Sequence, residues 1–137
     1  MSKVEEITAR VTEAHQVFQK TCREAVKEIF DDLFVNHPEI KTVYWSQYTP
    51  YFNDGDECIF NVHDINVSPD YFEEIDSPYH DDENEQNFNI PPNLAKAIKE
   101  INKFASDNLQ AMKDMFGDHA FVRAHTGGFE VREYEHD

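Results

Sequence analysis

Between Thr42 and Ala95 the chain carries no lysine and no arginine, over 54 of its 137 residues. The charge on nucleic-acid backbones and anionic lipids is met mainly by those two side chains, so bulk electrostatic binding to either is not expected. Glycine is also scarce, with only Gly55, Gly117, Gly127 and Gly128. That leaves no loop able to cradle a phosphate or a dinucleotide. Cysteine is limited to Cys22 and Cys58, far apart and without a CxxC spacing. They make no disulfide framework, suit a reducing compartment, and read as small buried hydrophobes. No apolar run approaches the roughly 18–20 residues a membrane helix needs. Met1 to Glu6 lacks the apolar stretch of a signal peptide, so a cytoplasmic location is expected.

What is present is acid and aromatic. There are 28 Asp and Glu against 12 Lys and Arg, a formal charge of -16. Eleven Phe, six Tyr and Trp45 give an aromatic share of 13%. A disordered acidic chain is poor in aromatics, so a folded core is expected. The length fits one domain over residues 1–137.

Hydrophobic periodicity divides the chain into an α-β-β-α-β-β order. Residues 2–36 read as one long helix, opened by a Ser2–Glu5 capping box and stopped before Pro38. Its apolar stripe runs through Val4, Ile7, Val11, Ala14, Phe18, Cys22, Ala25, Ile29 and Leu33. That stripe is expected to pack on the chain's own sheet. A homodimer seam through the first half is the alternative, because those positions also fit an a/d rhythm. Residues 41–67 read as a hairpin, with strands around Thr42–Tyr48 and Cys58–His63 and an Asp54-Gly55 turn between them. Around Ser68–Asp76 a short turn of helix is expected, within an exposed acidic excursion over about 68–90. Residues 92–116 read as a second helix closed by Gly117. Residues 119–136 read as a second hairpin turning at Gly127-Gly128. The expected fold is a two-layer α+β domain, a four-stranded antiparallel sheet with two long helices on one face. The other sheet face would be half polar and partly aromatic, a candidate binding surface.

The segment Tyr44-Trp45-Ser46-Gln47-Tyr48-Thr49-Pro50-Tyr51-Phe52-Asn53-Asp54-Gly55-Asp56-Glu57-Cys58 resembles a family of small uncharacterised proteins of bacteria and tailed phages. Gly117-Asp118-His119 and Phe129 to His136 are similar to it as well. The resemblance implies a bacterial or phage-infected cell as the setting and brings no reaction, cofactor or catalytic residue with it.

Charge segregation is the largest functional signal. Twelve acids and no base fall between Thr42 and Ala95, and a surface of one sign steers partners of the other. The main expectation is a non-catalytic protein that binds the basic surface of a protein partner. In its sharpest form it is an inhibitor of a nucleic-acid-processing protein, its carboxylates standing in for phosphates. The residues expected to carry binding are Tyr48, Tyr51 and Phe52, with Asp54, Asp56, Asp81, Asp82, Glu83 and Glu85. The aromatics suit a protein hot spot better than base stacking, since no cation stands near them in sequence. Asn53-Asp54-Gly55-Asp56-Glu57 lacks the order of an EF-hand loop and reads as a turn. The alternative function is a small metal-binding protein or metal-dependent enzyme using His63, Asp64 and a histidine of the last hairpin, His119, His125 or His136. His119 and His125 would lie about 20 Å apart along one strand and could not share an ion. No catalytic group, metal site or cofactor is assigned. Ser46 lacks a nucleophile-elbow context, and acidic Glu57 would blunt the Cys58 thiol.

Overall fold

The structure is a computed structural model that describes residues 2–51, 55, 57–78 and 90–135. Among these the chain forms three α-helices and an antiparallel sheet of five strands, an α+β fold. Helix α1 spans Lys3–Asn36, strand β1 Thr42–Tyr48, β2 Asn61–Val62 and β3 Asn66–Ser68. A single 3-10 turn covers Phe72–Glu74. Helices α2 (Pro92–Asp107) and α3 (Leu109–Phe116) follow, then β4 (Ala120–His125) and β5 (Gly128–Glu133). Strand β1 is central, with β4 along one side and β2 and β3 in turn along the other; β5 extends the sheet beyond β4.

The α1 start is local chemistry. The Glu5 amide donates to the Ser2 hydroxyl at 3.1 Å, one of the donors a helix start leaves without an internal partner. Its end is the His37 amide on the Leu33 carbonyl, with Pro38 next. The packing differs from expectation along half its length. Cys22, Val26, Phe30, Leu33 and Phe34 are buried, but Val4, Ile7, Val11 and Phe18 are 73%, 46%, 64% and 50% exposed. The stripe does not pack on the chain's own sheet before Cys22, because the sheet and α3 reach no farther along the helix.

The second helix is two. The Asn108 backbone leaves helical values, its amide bonds back to the Ala105 carbonyl at 3.2 Å, and its side chain caps the Phe104 carbonyl at 2.9 Å. Helix α3 restarts at Leu109 and ends on Gly117, whose φ of 93° suits glycine.

The first hairpin also differs. Its second arm joins β1 only from Asn61, not from Cys58. The ladder stops at Tyr48 because the next amide, that of Thr49, donates to Asp118 and Pro50 has none. The arm is then split. Gln47 pairs with Val62 and Tyr44 with Asn66, so three residues of the arm oppose two of β1. This is a β-bulge at residues 63–65. It leaves the Ile65 amide outside the ladder, and the Asn102 side chain of α2 accepts from it at 3.0 Å. The split arm is why five strands replace the expected four.

The core fills the space between the helices and one sheet face. Val43, Trp45, Val122 and Ala124 meet Val26, Phe30, Leu33, Leu94, Ile101 and Met112 there. The Trp45 ring stacks on Phe30 at 5.6 Å and meets the edge of Phe116 at 5.5 Å. Its indole N–H donates to Gln47, whose amide donates to the carbonyls of Met112 and Gly117 at 2.9 and 2.7 Å. A fully buried amide is thereby satisfied on every side, as burial demands. Cys22 and Cys58 are free; Cys22 is buried and Cys58 half-buried. Among the described residues no helix is long and apolar enough to cross a membrane.

Candidate functional site on the open sheet face

Strand alternation puts Tyr44, Ser46 and Tyr48 of β1, Phe121, Arg123 and His125 of β4, and Glu130, Arg132 and Tyr134 on the face away from the helices. One part of that face is covered by the chain itself. Ile75, fully buried, packs with Tyr44, Phe121 and Tyr134 as a second, smaller core. Arg123, 8% exposed, holds this segment down. Its guanidinium donates to the carbonyls of Phe72 (3.0 Å) and Ile75 and to Glu130, and lies over the Phe72 ring at 4.3 Å. Arg132 donates to the Asp76 carbonyl at 2.6 Å and lies over Phe121. The expected acidic excursion is thus anchored in its described part, 68–78, because a buried isoleucine and two arginines tie it to the sheet.

The rest of the face is a polar hollow of about 330 Å³ beside the bulge, lined by Ser46, Tyr48, Asn61, His63, Asp64 and Tyr134 among others. The bulge delivers the His63 ring flat onto Tyr48, with centroids 4.0 Å apart. Tyr134 closes on Tyr48 from β5 at 5.5 Å. Bulges commonly re-aim a side chain at a functional surface.

A second cluster fixes the root of the aromatic loop. Asp118 accepts from the Thr49 amide (2.7 Å), the Thr49 hydroxyl (2.8 Å) and the His119 amide (2.9 Å). Partial burial pushes this carboxyl up. The Thr49 hydrogen bonds and the neighbouring His119 outweigh that and hold it below the usual carboxylate range. Tyr51, 63% exposed, stacks on the His119 ring at 4.9 Å. The His119 backbone takes a φ of 55°, uncommon for a residue with a side chain.

The expected binding residues divide accordingly. Tyr48 is half-buried in the hollow and Tyr51 is displayed at the loop root. Phe52, Asp54, Asp56, Asp81, Asp82, Glu83 and Glu85 lie outside the described residues. Of the twelve acids between Thr42 and Ala95, Glu57, Asp64, Glu73, Glu74 and Asp76 are described and exposed, and Asp70 is half-buried. Among the described residues no lysine or arginine forms an ion pair with any of those five exposed carboxylates. The histidines do not converge. His119 stacks on Tyr51, His125 packs on Phe72 at the far end of β4, and His63 lies on Tyr48; His136 is outside the described residues. Among the described residues no group of three or more His, Cys, Asp or Glu could hold a metal ion.

Sequence reading missed Thr49, Asp118, Arg123 and Arg132. The lone signal for Asp118 was its place directly after the helix-closing Gly117. The two arginines stand alternately in neighbouring strands, the spacing that puts both on one face.

Fold and site together define a small α+β protein with one sheet face covered by helices and the other partly open, polar and aromatic. Comparison of the chain with protein-family models, with curated proteins and with solved structures gives no match.

Proposed function

We propose that the protein is a non-catalytic, acidic binding module that engages the basic surface of a protein partner. The observation that carries this reading is the set of exposed carboxylates, Glu57, Asp64, Glu73, Glu74 and Asp76, that form no ion pair with a lysine or arginine among the described residues. Buried Arg123 and exposed Arg132 donate instead to backbone carbonyls and Glu130, and among the described residues neither forms an ion pair with any of the five. Carboxylates presented this way accept from Arg and Lys as phosphates do. A nucleic-acid-processing protein offers such cations in its groove. The sharpest form of the function is therefore inhibition of such a protein, in a bacterial or phage-infected cell as the family resemblance implies. Tyr48, Tyr51 and Phe52 would supply the apolar anchors beside the charge.

Capture from a bacterial lysate on the immobilised chain tests this. The partner bound by the native chain is expected to lose its hold on DNA or RNA when the chain is added. The variant with Asp81, Asp82, Glu83 and Glu85 changed to Ser, combined with Glu73→Ser, Glu74→Ser and Asp76→Ser, is expected to capture at least tenfold less of it. Full retention by that variant, with native near-ultraviolet circular dichroism, sinks the reading.

A further inference from the structure

We infer that the free N-terminal half of α1 is a self-association arm that pairs antiparallel with the same arm of a second copy. Val4, Ile7, Val11, Ala14 and Phe18 occupy one side of the helix, in line with Cys22, Ile29 and Leu33 where the same side enters the core. Up to Phe18 every residue from Lys3 is exposed. A lone helix of this length is marginal in water, and most helices in proteins are held by cover on their apolar face. The body supplies that cover only from Cys22 onward.

Charge selects the occupant. Residues 3–21 hold Lys3, Arg10 and Lys20 against Glu5, Glu6 and Glu13, so the arm is neutral and the whole formal -16 falls on the rest of the chain. Two bodies of that charge repel, while two arms do not. A lipid surface is a poor fit, because interfacial helices carry a basic polar face and anionic lipid would repel the body. Charge also selects the direction. A parallel pair would bring two acidic bodies side by side. An antiparallel pair over residues 4–21 puts them at opposite ends of a rod about 27 Å long, roughly three times the screening length of about 8 Å at physiological salt. The alternation of a and d positions then sets Ile7 opposite Phe18 and Val11 opposite Ala14, a large residue against a small one at the centre. Two helices overlapping over that length cover on the order of 1,000 Å² in total, the lower end for a specific interface.

The test is solution mass by sedimentation at high micromolar concentration, with small-angle scattering on the same sample. The native chain is expected at twice its 16.1 kDa, with a scattering profile of two separated bodies. Ile7→Glu combined with Val11→Glu is expected to halve the mass and leave the near-ultraviolet signal of Trp45 unchanged, since both side chains are exposed, far along the helix from the first buried residue, Cys22. A native mass of one chain overturns the inference, as does a dimer that survives both substitutions. A profile with the two bodies in contact overturns the antiparallel arrangement. Sedimentation of the native chain with vesicles of anionic lipid overturns it too, by giving the stripe a different occupant.

Discussion

Asp118 shows how one side chain can set the shape of a loop. Its two carboxylate oxygens accept from the amide and hydroxyl of Thr49 and from the amide of His119, at 2.7–2.9 Å. The contact ends the β1 ladder and sends the chain outward, where Tyr51 lies on His119. Because the folded carboxyl sits below its ordinary value, it stabilises the fold at pH above the unfolded value of about 4. As pH falls through the folded value, the unfolded chain has already taken up a proton and that contribution is lost. The stability difference between the native chain and Asp118→Asn is expected to be constant from pH 7 to about 5 and to shrink below about 4. Urea midpoints across that range check it; a difference that grows on acidification would show that the carboxylate is not the stabilising form. Beyond the place of Asp118 directly after Gly117, this was not legible in the sequence. The pairing joins residues 69 positions apart, and no local pattern announces it.

At the scale of elements, much more was readable. The caps of α1, the glycine after α3 and the turn between β4 and β5 are written in neighbouring residues, and local chemistry decides them. The Asn108 break was not legible, since 92–116 reads as one helix and the break shows only in the Asn108 backbone and its bonds to Phe104 and Ala105. Nor was the bulge at residues 63–65. Its extra residue is accommodated by the Asn102 side chain from α2, a tertiary contact. The short turn of helix expected around Ser68–Asp76 is present at Phe72–Glu74, but its anchoring on the open face was not legible, because Ile75 and two arginines on distant strands hold it. Arg123→Ala should therefore cost about 2–4 kcal/mol in urea unfolding, as the buried Ile75 carbonyl and the part-buried Phe72 carbonyl lose a charged donor. Arg123→Lys should recover only part of that, since an ammonium lacks the fork that reaches both carbonyls and Glu130. An unchanged midpoint in Arg123→Ala would mean that Ile75 and Arg132 hold the segment without Arg123.

For the whole molecule, the charge is a matter of distribution. The arm of α1 is neutral and the body carries all of the -16. Binding of a basic partner to the body is expected to weaken steeply with ionic strength, by tenfold or more between low and physiological salt, because exposed charges are screened over about 10 Å at 0.1 M. Self-association through the arm, which rests on apolar contact, should hold over the same range or strengthen. Sedimentation and partner binding measured at three salt concentrations separate the two. A steep fall in partner binding beside a flat or rising self-association is the expected result, and parallel slopes would tie both to one surface.

The central place of β1 has a consequence for how the chain is made. Its two neighbours come from opposite ends of the sequence order: β2 and β3 follow it within about twenty residues, whereas β4 arrives only at residues 120–125. Trp45 and Val43 cannot be enclosed until Val122 and Ala124 exist to pair beside them. On a ribosome the most aromatic strand of the protein therefore waits, one edge unpaired, through the synthesis of everything between Ser68 and Ala120. Pairings across such a separation form slowly, because the intervening loop must close first. The acids that fill that interval put like charge on every waiting chain. Like charge of that kind opposes association between neighbouring nascent chains while β1 still has an open edge.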